Sequence, residues 1–302
     1  MPDQNIEFCG IRLKNPLILA SGILGVNPGC LKRAEKEGAG AVTIKSISLE
    51  PRTGHNSPIL VPFDSGMLNA VGYSNPGLEE ASRAFTRHGI EIPVIASIIG
   101  QKPEEFSQII ERFEELDFCG YEIPVSCPHT PGFGTMGNQD SPDFIKSVMK
   151  VVTSKTKRPV IVKIPPLDKG LGDYGQMIED CGADAINAIN TAGPGMVIDI
   201  ESRKPFLGFK KGGLSGPALK PIAVRCVYDL YKAVKIPIIG TGGITTGADA
   251  VEMFMAGASA LGVGTAVYFR GMNAFSLIQD ELAAWLSEHN LSNVNQIKGT
   301  AH

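Results

Sequence analysis

A chain of 302 residues with 43% hydrophobic content can bury a large core, which excludes intrinsic disorder as its resting state. A formal net charge of −3 gives no support for a general nucleic-acid or anionic-membrane surface, and no apolar run reaches bilayer-spanning length. The opening Met-Pro-Asp-Gln-Asn lacks the cationic flank and apolar run of a secretory signal. Six scattered cysteines (Cys9, Cys30, Cys119, Cys127, Cys181, Cys226), without C-x-x-C pairs or metal-ligand spacing, predict reduced thiols in a cytoplasmic protein and no metal site.

The first predicted element is a small hairpin over Glu7–Asn15 with Gly10 at its middle, ahead of the main repeat and closing its bottom. Strand-like apolar segments follow at Pro16–Ser21, Ala41–Ile47, Pro93–Ile98 and Gly120–Ser126. Four more lie at Pro159–Ile164, Asp184–Asn190, Pro237–Gly243 and Ala260–Ala266. Near-continuous apolar runs of this length fit parallel strands covered on both faces. Helical spacing with charged outer faces separates them at Glu104–Leu116, Pro142–Thr153 and Ala218–Val234. Thr191–Gly216, rich in Gly, Pro and Lys, is a long insertion after strand 6, of the kind that forms lids or partner surfaces. Eight such units predict an α/β fold, a (β/α)8 TIM barrel in one domain over residues 1–302. An open doubly wound sheet usually has fewer strands and a G-x-G-x-x-G after the first, which is absent.

In that fold the chemistry sits where strands end. Polar residues collect there: Ser21, Lys45-Ser46, Ser97, Cys127 in Val125-Ser126-Cys127-Pro128-His129, Lys163, and Asn190-Thr191. A lone cysteine is more often a small buried hydrophobe, and a strand-end lysine as often snorkels to solvent as binds. Two lysines buried at one barrel mouth, however, call for an anionic or strongly accepting partner. The seventh and eighth strands end in Gly240-Thr241-Gly242-Gly243 and Gly262-Val263-Gly264-Thr265, where loops of this fold usually hold phosphate. The other five cysteines are expected to pack inertly, and His55, His88 and His289, among polar neighbours, to be solvated.

Together with Ser65–Glu79, Gly212–Ile222 and Gly257–Ala266, these segments resemble the class 1 dihydroorotate dehydrogenases along essentially the whole chain, most of all the B-type catalytic subunit. The resemblance implies FMN across the barrel mouth, with its phosphate on Gly242, Gly243, Gly264 and Thr265. It implies further flavin contacts from Ser21, Lys45, Ser46, Ser97, Lys163, Ile189 and Gly216. Lys163 would lie near the pyrimidine edge of the ring, where a cation stabilises the anionic reduced flavin. Substrate would be held by Lys45, Asn69, Ala70, Val71, Gly72, Tyr73, Asn190 and Thr191. Cys127 would take a proton from C5 of dihydroorotate while C6 passes a hydride to flavin N5. A free thiol has a pKa of about 8.5, so its surroundings must poise it for that task. The same family implies a homodimer and, for B-type members, a separate iron–sulfur and FAD subunit that reduces NAD; A-type members use fumarate.

Three positions depart from the family pattern, which has Asn where Pro124 stands, usually Asn where His129 stands, and often Asn where Ser97 stands. Dihydropyrimidine dehydrogenases carry Ser-Cys-Pro-His and Ala-Ser-Ile at the last two places, so an FMN enzyme acting on a dihydrouracil-type substrate is the alternative. An RNA-modifying dihydrouridine synthase needs a basic face, which the acidic balance opposes. A non-catalytic flavin scaffold is opposed by the retention of Cys127, Lys45 and Lys163.

Overall fold

The computed structural model describes residues 2–25, 27–125 and 140–302, so Cys127 and its neighbours Ser126, Pro128 and His129 lie outside the described residues. In chain order the elements are β1 (Ile6–Phe8), β2 (Ile11–Leu13), β3 (Leu17–Leu19), α1 (Pro28–Lys36), β4 (Ala41–Thr43), β5 (Leu60–Phe63) and β6 (Gly66–Asn69). They continue as α2 (Leu78–Phe85), β7 (Val94–Ser97), α3 (Pro103–Phe113), β8 (Gly120–Pro124), α4 (Pro142–Lys155), β9 (Val160–Ile164), α5 (Leu171–Asp180) and β10 (Ala185–Ala188). The remainder are β11 (Ala192–Gly195), β12 (Ile198–Asp199), β13 (Lys204–Pro205), β14 (Gly212–Ser215), α6 (Lys220–Ala233), β15 (Ile238–Thr241), α7 (Gly247–Ala256), β16 (Ala260–Val263), α8 (Ala266–Arg270) and α9 (Ala274–Glu288).

Among the described residues, eight parallel strands close a barrel in the order β10-β15-β16-β3-β4-β7-β8-β9. Each coincides with one predicted segment. Every residue of these strands is buried, because side chains on one face fill the barrel and those on the other meet the helices. Helix boundaries follow local chemistry. Asn27 and Ser141 accept N–H bonds from Cys30 and Phe144 and so start α1 and α4, each with proline in its first turn. Thr246 and Asp249 form a capping box at the start of α7, and Gly257, at φ +118°, ends it.

The predicted hairpin is β1 paired antiparallel with β2, turned by Cys9 and Gly10 at φ +50° and +75°. The Cys9 thiol donates to the Asp184 carbonyl, 3.3 Å away and just before β10 begins, which places the hairpin at the N-terminal end of the barrel. The predicted insertion after strand 6 holds β11 to β14, but it does not stand alone. An unexpected hairpin, β5–β6, rises from the long connection after β4 and pairs with it in an antiparallel sheet of order β11-β14-β6-β5. Val61, Leu68, Ala70 and Leu207 give this cap its own small core.

Five cysteines are free thiols among the described residues. Burial, with smaller contributions from Asp184 and Cys119, pushes the Cys9 thiol up to about 12, and burial likewise takes Cys119 to about 12. Both fit inert packing. Of the three histidines expected in solvent, His88 is buried, its Nδ1 accepting from the Ile90 N–H at 3.1 Å. It closes the turn after α2, whose polar sequence disguised it. No helix among the described residues is long and apolar enough to cross a membrane.

Candidate active site

The C-terminal ends of the barrel strands and the antiparallel cap form a concave, open-mouthed cavity lined by residues from both. Ser21 reaches it beyond β3, Lys45 and Ser46 beyond β4, Pro124 from β8, Lys163 from β9, and Ile189, Asn190 and Thr191 beyond β10. Gly242 and Gly243 line it after β15, and Gly264 and Thr265 after β16. From the cap come Asn69, Val71, Gly72, Tyr73 and Gly216. Segments 69–73 and 189–191, far apart in the chain, thus face one another because the two insertions share a sheet.

Two predicted residues fall outside this lining. Ala70 points away from the cavity into the small cap core, since alternate residues of an extended segment face opposite sides. Ser97 is fully buried behind Ser46, whose hydroxyl lies 2.9 Å from its own. Ser46 in turn is 3.4 Å from Ser21, which donates to the Ile44 carbonyl at 2.8 Å. Ser97 therefore supports the wall through a line of hydroxyls. Pro124 does line the cavity, so the expected departure stands in its wall.

Both predicted lysines are buried, Lys45 at 8% and Lys163 at 5% exposure. Lys45 lies with its ammonium 5.4 Å from the centre of the Tyr73 ring, a cation–π distance. Lys163 stands 4.0 Å from the Glu122 carboxylate. Glu122 also accepts from Asn187 at 2.7 Å, and Asn187 accepts from the Thr241 hydroxyl at 2.6 Å. These three polar partners inside the barrel were missed in the sequence. Their only signal is a polar residue interrupting each of three apolar strands.

The glycine turn after β15 is shaped by what surrounds it. Gly242 and Gly243 adopt φ +135° and +74°, and a Cβ on Gly243 would stand 2.6 Å from that of Lys220. Only glycine fits there, and both residues line the cavity at the strand end where this fold usually seats a phosphate. Behind the turn, Asp249 accepts from Thr245 N–H, Thr245 hydroxyl and Thr246 N–H at 2.9, 2.9 and 2.8 Å, and from Lys220 at 2.7 Å. Burial alone would raise the Asp249 carboxyl, but these donors outweigh it and hold the group down at about 2. Because its folded value lies below the ordinary 3.8, Asp249 stabilises the fold at pH above 4, and that contribution disappears as the pH falls from 4 to 2. The effect is on the order of 2 kcal/mol. An Asp249→Asn variant should accordingly show a lower urea midpoint at pH 6 and a flatter acid limb between pH 4 and 2 than the parent.

Comparison with known proteins decides the family. The dihydroorotate dehydrogenase family model matches residues 4–286. The chain belongs to that family. Its relatives include the catalytic subunit of dihydroorotate dehydrogenase B (NAD(+)) from Pyrococcus abyssi, 45% identical over 296 residues that cover 98% of each chain. The same subunit from Methanocaldococcus jannaschii is 43% identical, covering 98% of this chain and 97% of the relative. That of Methanosarcina mazei is 45% identical, covering 97% and 93%. The family match extends over the residues of the barrel and of both insertions.

Proposed function

We propose that this protein oxidises dihydroorotate to orotate in pyrimidine synthesis, as an FMN-dependent oxidoreductase acting on a CH–CH bond. The observation that carries the reading is the convergence of two buried lysines, a tight glycine turn, Asn69 and Asn190 on one cavity of the matched family. The glycine turn suits the FMN phosphate, and the lysines suit an electron-rich ring and an anionic substrate. Bound FMN would supply the hydride acceptor at the barrel mouth, within the single domain of residues 1–302.

The protein's own residues have distinct tasks. Lys45, buried and beside Tyr73, offers a cation to the carboxylate of dihydroorotate. Asn69, Asn190 and Thr191 offer amide and hydroxyl groups to a planar ring edge with donors and acceptors. Cys127, two residues beyond the Val125 N–H that donates to the Lys163 carbonyl, would accept the C5 proton.

A dihydrouracil-type substrate remains the second reading, because Pro124 contributes no side-chain hydrogen bond to the cavity wall. Dihydrouracil lacks the carboxylate that Lys45 would meet. Turnover of the two compounds with an artificial electron acceptor separates them: dihydroorotate should be oxidised, and dihydrouracil should be turned over at least tenfold more slowly. The reverse order would select the second reading.

The relatives are named as catalytic subunits of an NAD(+) enzyme. We infer a homodimer that hands electrons to a separate iron–sulfur and FAD subunit, in the cytoplasm. Among the described residues no group of His, Cys, Asp and Glu gathers as metal ligands would.

A further inference from the structure

We propose that Glu122 sets the reduction potential of the flavin by fixing a negative charge beside Lys163. The inference rests on the flavin reading above. Glu122 is 2% exposed in the middle of β8, and it is the one carboxylate among the described residues that lines the cavity. One of its two oxygens is held firmly. Thr241 donates to Asn187 Oδ1 at 2.6 Å, which leaves the Asn187 amide nitrogen to donate to Glu122 Oε2 at 2.7 Å. Gly262 leaves room for that arrangement, since a Cβ there would stand 1.9 Å from Thr241 Oγ1.

The other oxygen is different. Glu122 Oε1 has no hydrogen-bond donor among the described residues, although it is out of reach of solvent. Its nearest cation, the Lys163 ammonium, stands at 4.0 Å, too far for a hydrogen bond and close enough for strong Coulombic attraction. A carboxylate so placed is expensive to bury, and an apolar residue of similar size would pack at less cost. What the barrel retains instead is a negative charge next to the cation at the cofactor's position.

The consequence is electrostatic. Two-electron uptake adds negative charge to an isoalloxazine ring, so Lys163 favours the reduced form and Glu122 opposes it. In a poorly screened cavity, one unit charge a few ångström away changes the oxidised-to-reduced equilibrium by about tenfold or more. Glu122 would thus hold the flavin low enough to pass its electrons onward to an acceptor. It is a positioning residue with respect to Lys163, and it transfers no atom itself.

The test is the midpoint potential of the bound flavin, read by spectroelectrochemistry on the flavin-loaded protein. Glu122→Gln should shift the potential upward by at least 30 mV, the equivalent of tenfold for a two-electron couple, with flavin still bound. Glu122→Asp, which keeps the charge, should lie between the parent and the Gln variant. A Gln variant with the parent's potential overturns the inference. Should the Gln variant release its flavin, the wild-type protein gives the answer alone. Its reduced-minus-oxidised infrared spectrum should contain a perturbed ionised-carboxylate band, and a silent carboxylate region overturns the inference. Wild-type protein that takes up no FMN would instead defeat the flavin reading on which it depends.

Discussion

Replacing Cys127 with serine is expected to slow dihydroorotate oxidation near neutral pH by roughly 10²- to 10⁴-fold, the span contributed by a positioned general base. A serine hydroxyl is far harder to ionise than a thiol, so the deficit should narrow as pH rises. The parent rate should climb and then level as the thiol ionises, whereas the serine variant should still be climbing at the highest pH the protein tolerates. Flavin content should be unchanged, because the lysines and glycines proposed to bind it come from other strand ends. Stopped-flow reduction of the bound flavin across a pH series measures both effects. Undiminished turnover in the serine variant would remove Cys127 from the role of base.

The second large effect should come from Gly243→Val. The new side chain must occupy a backbone at φ +74° with its Cβ 2.6 Å from Lys220 Cβ and 2.9 Å from the Gly216 carbonyl oxygen. A β-branched residue pays about 1–2 kcal/mol for left-handed backbone, and forced overpacking adds about 1–3 kcal/mol. The summed destabilisation of about 2–5 kcal/mol falls on the turn proposed to seat the phosphate. Gly170 is the control, because it has a similar φ of +69° and no atom within 4 Å of a built Cβ. Gly170→Val should lose stability without losing cofactor. Gly243→Val should lose both, read as a lower urea midpoint and as flavin fluorescence released into the filtrate. A Gly243→Val protein that stays yellow through gel filtration would remove the phosphate from this turn.

The barrel was legible because its strands carry a strong and repeated signal: short apolar runs such as PVIVKI and PVIASI, buried on both faces, each separated by amphipathic helical spacing. The cap was half legible. Its glycine-rich half, residues 191–216, stood out as an interruption, whereas β5 and β6 were passed over although Asp64-Ser65-Gly66 between apolar residues is a hairpin signal. The inner strand of that hairpin, β6, is held by a partner 144 residues away, as in the contact of Asn69 with Gly213, and no local pattern reports that pairing.

Position alone pointed to Ser21, Lys45, Ser46, Lys163, Asn190 and Thr191, which line the cavity, and to Ser97, which stands behind it. The interior chain of Glu122, Asn187 and Thr241 was not legible, because each link joins residues 54 to 65 positions apart. Ala70 differs from its neighbours 69, 71, 72 and 73: it packs in the small cap core, where the alternation of extended backbone turns it.

The most direct test of the central claim is an anaerobic titration of the purified protein with dihydroorotate, followed by visible absorption. The account predicts a yellow protein whose flavin bands bleach in proportion to added dihydroorotate, with orotate formed in equal amount. A protein that holds flavin and keeps its full absorbance at saturating dihydroorotate would contradict it.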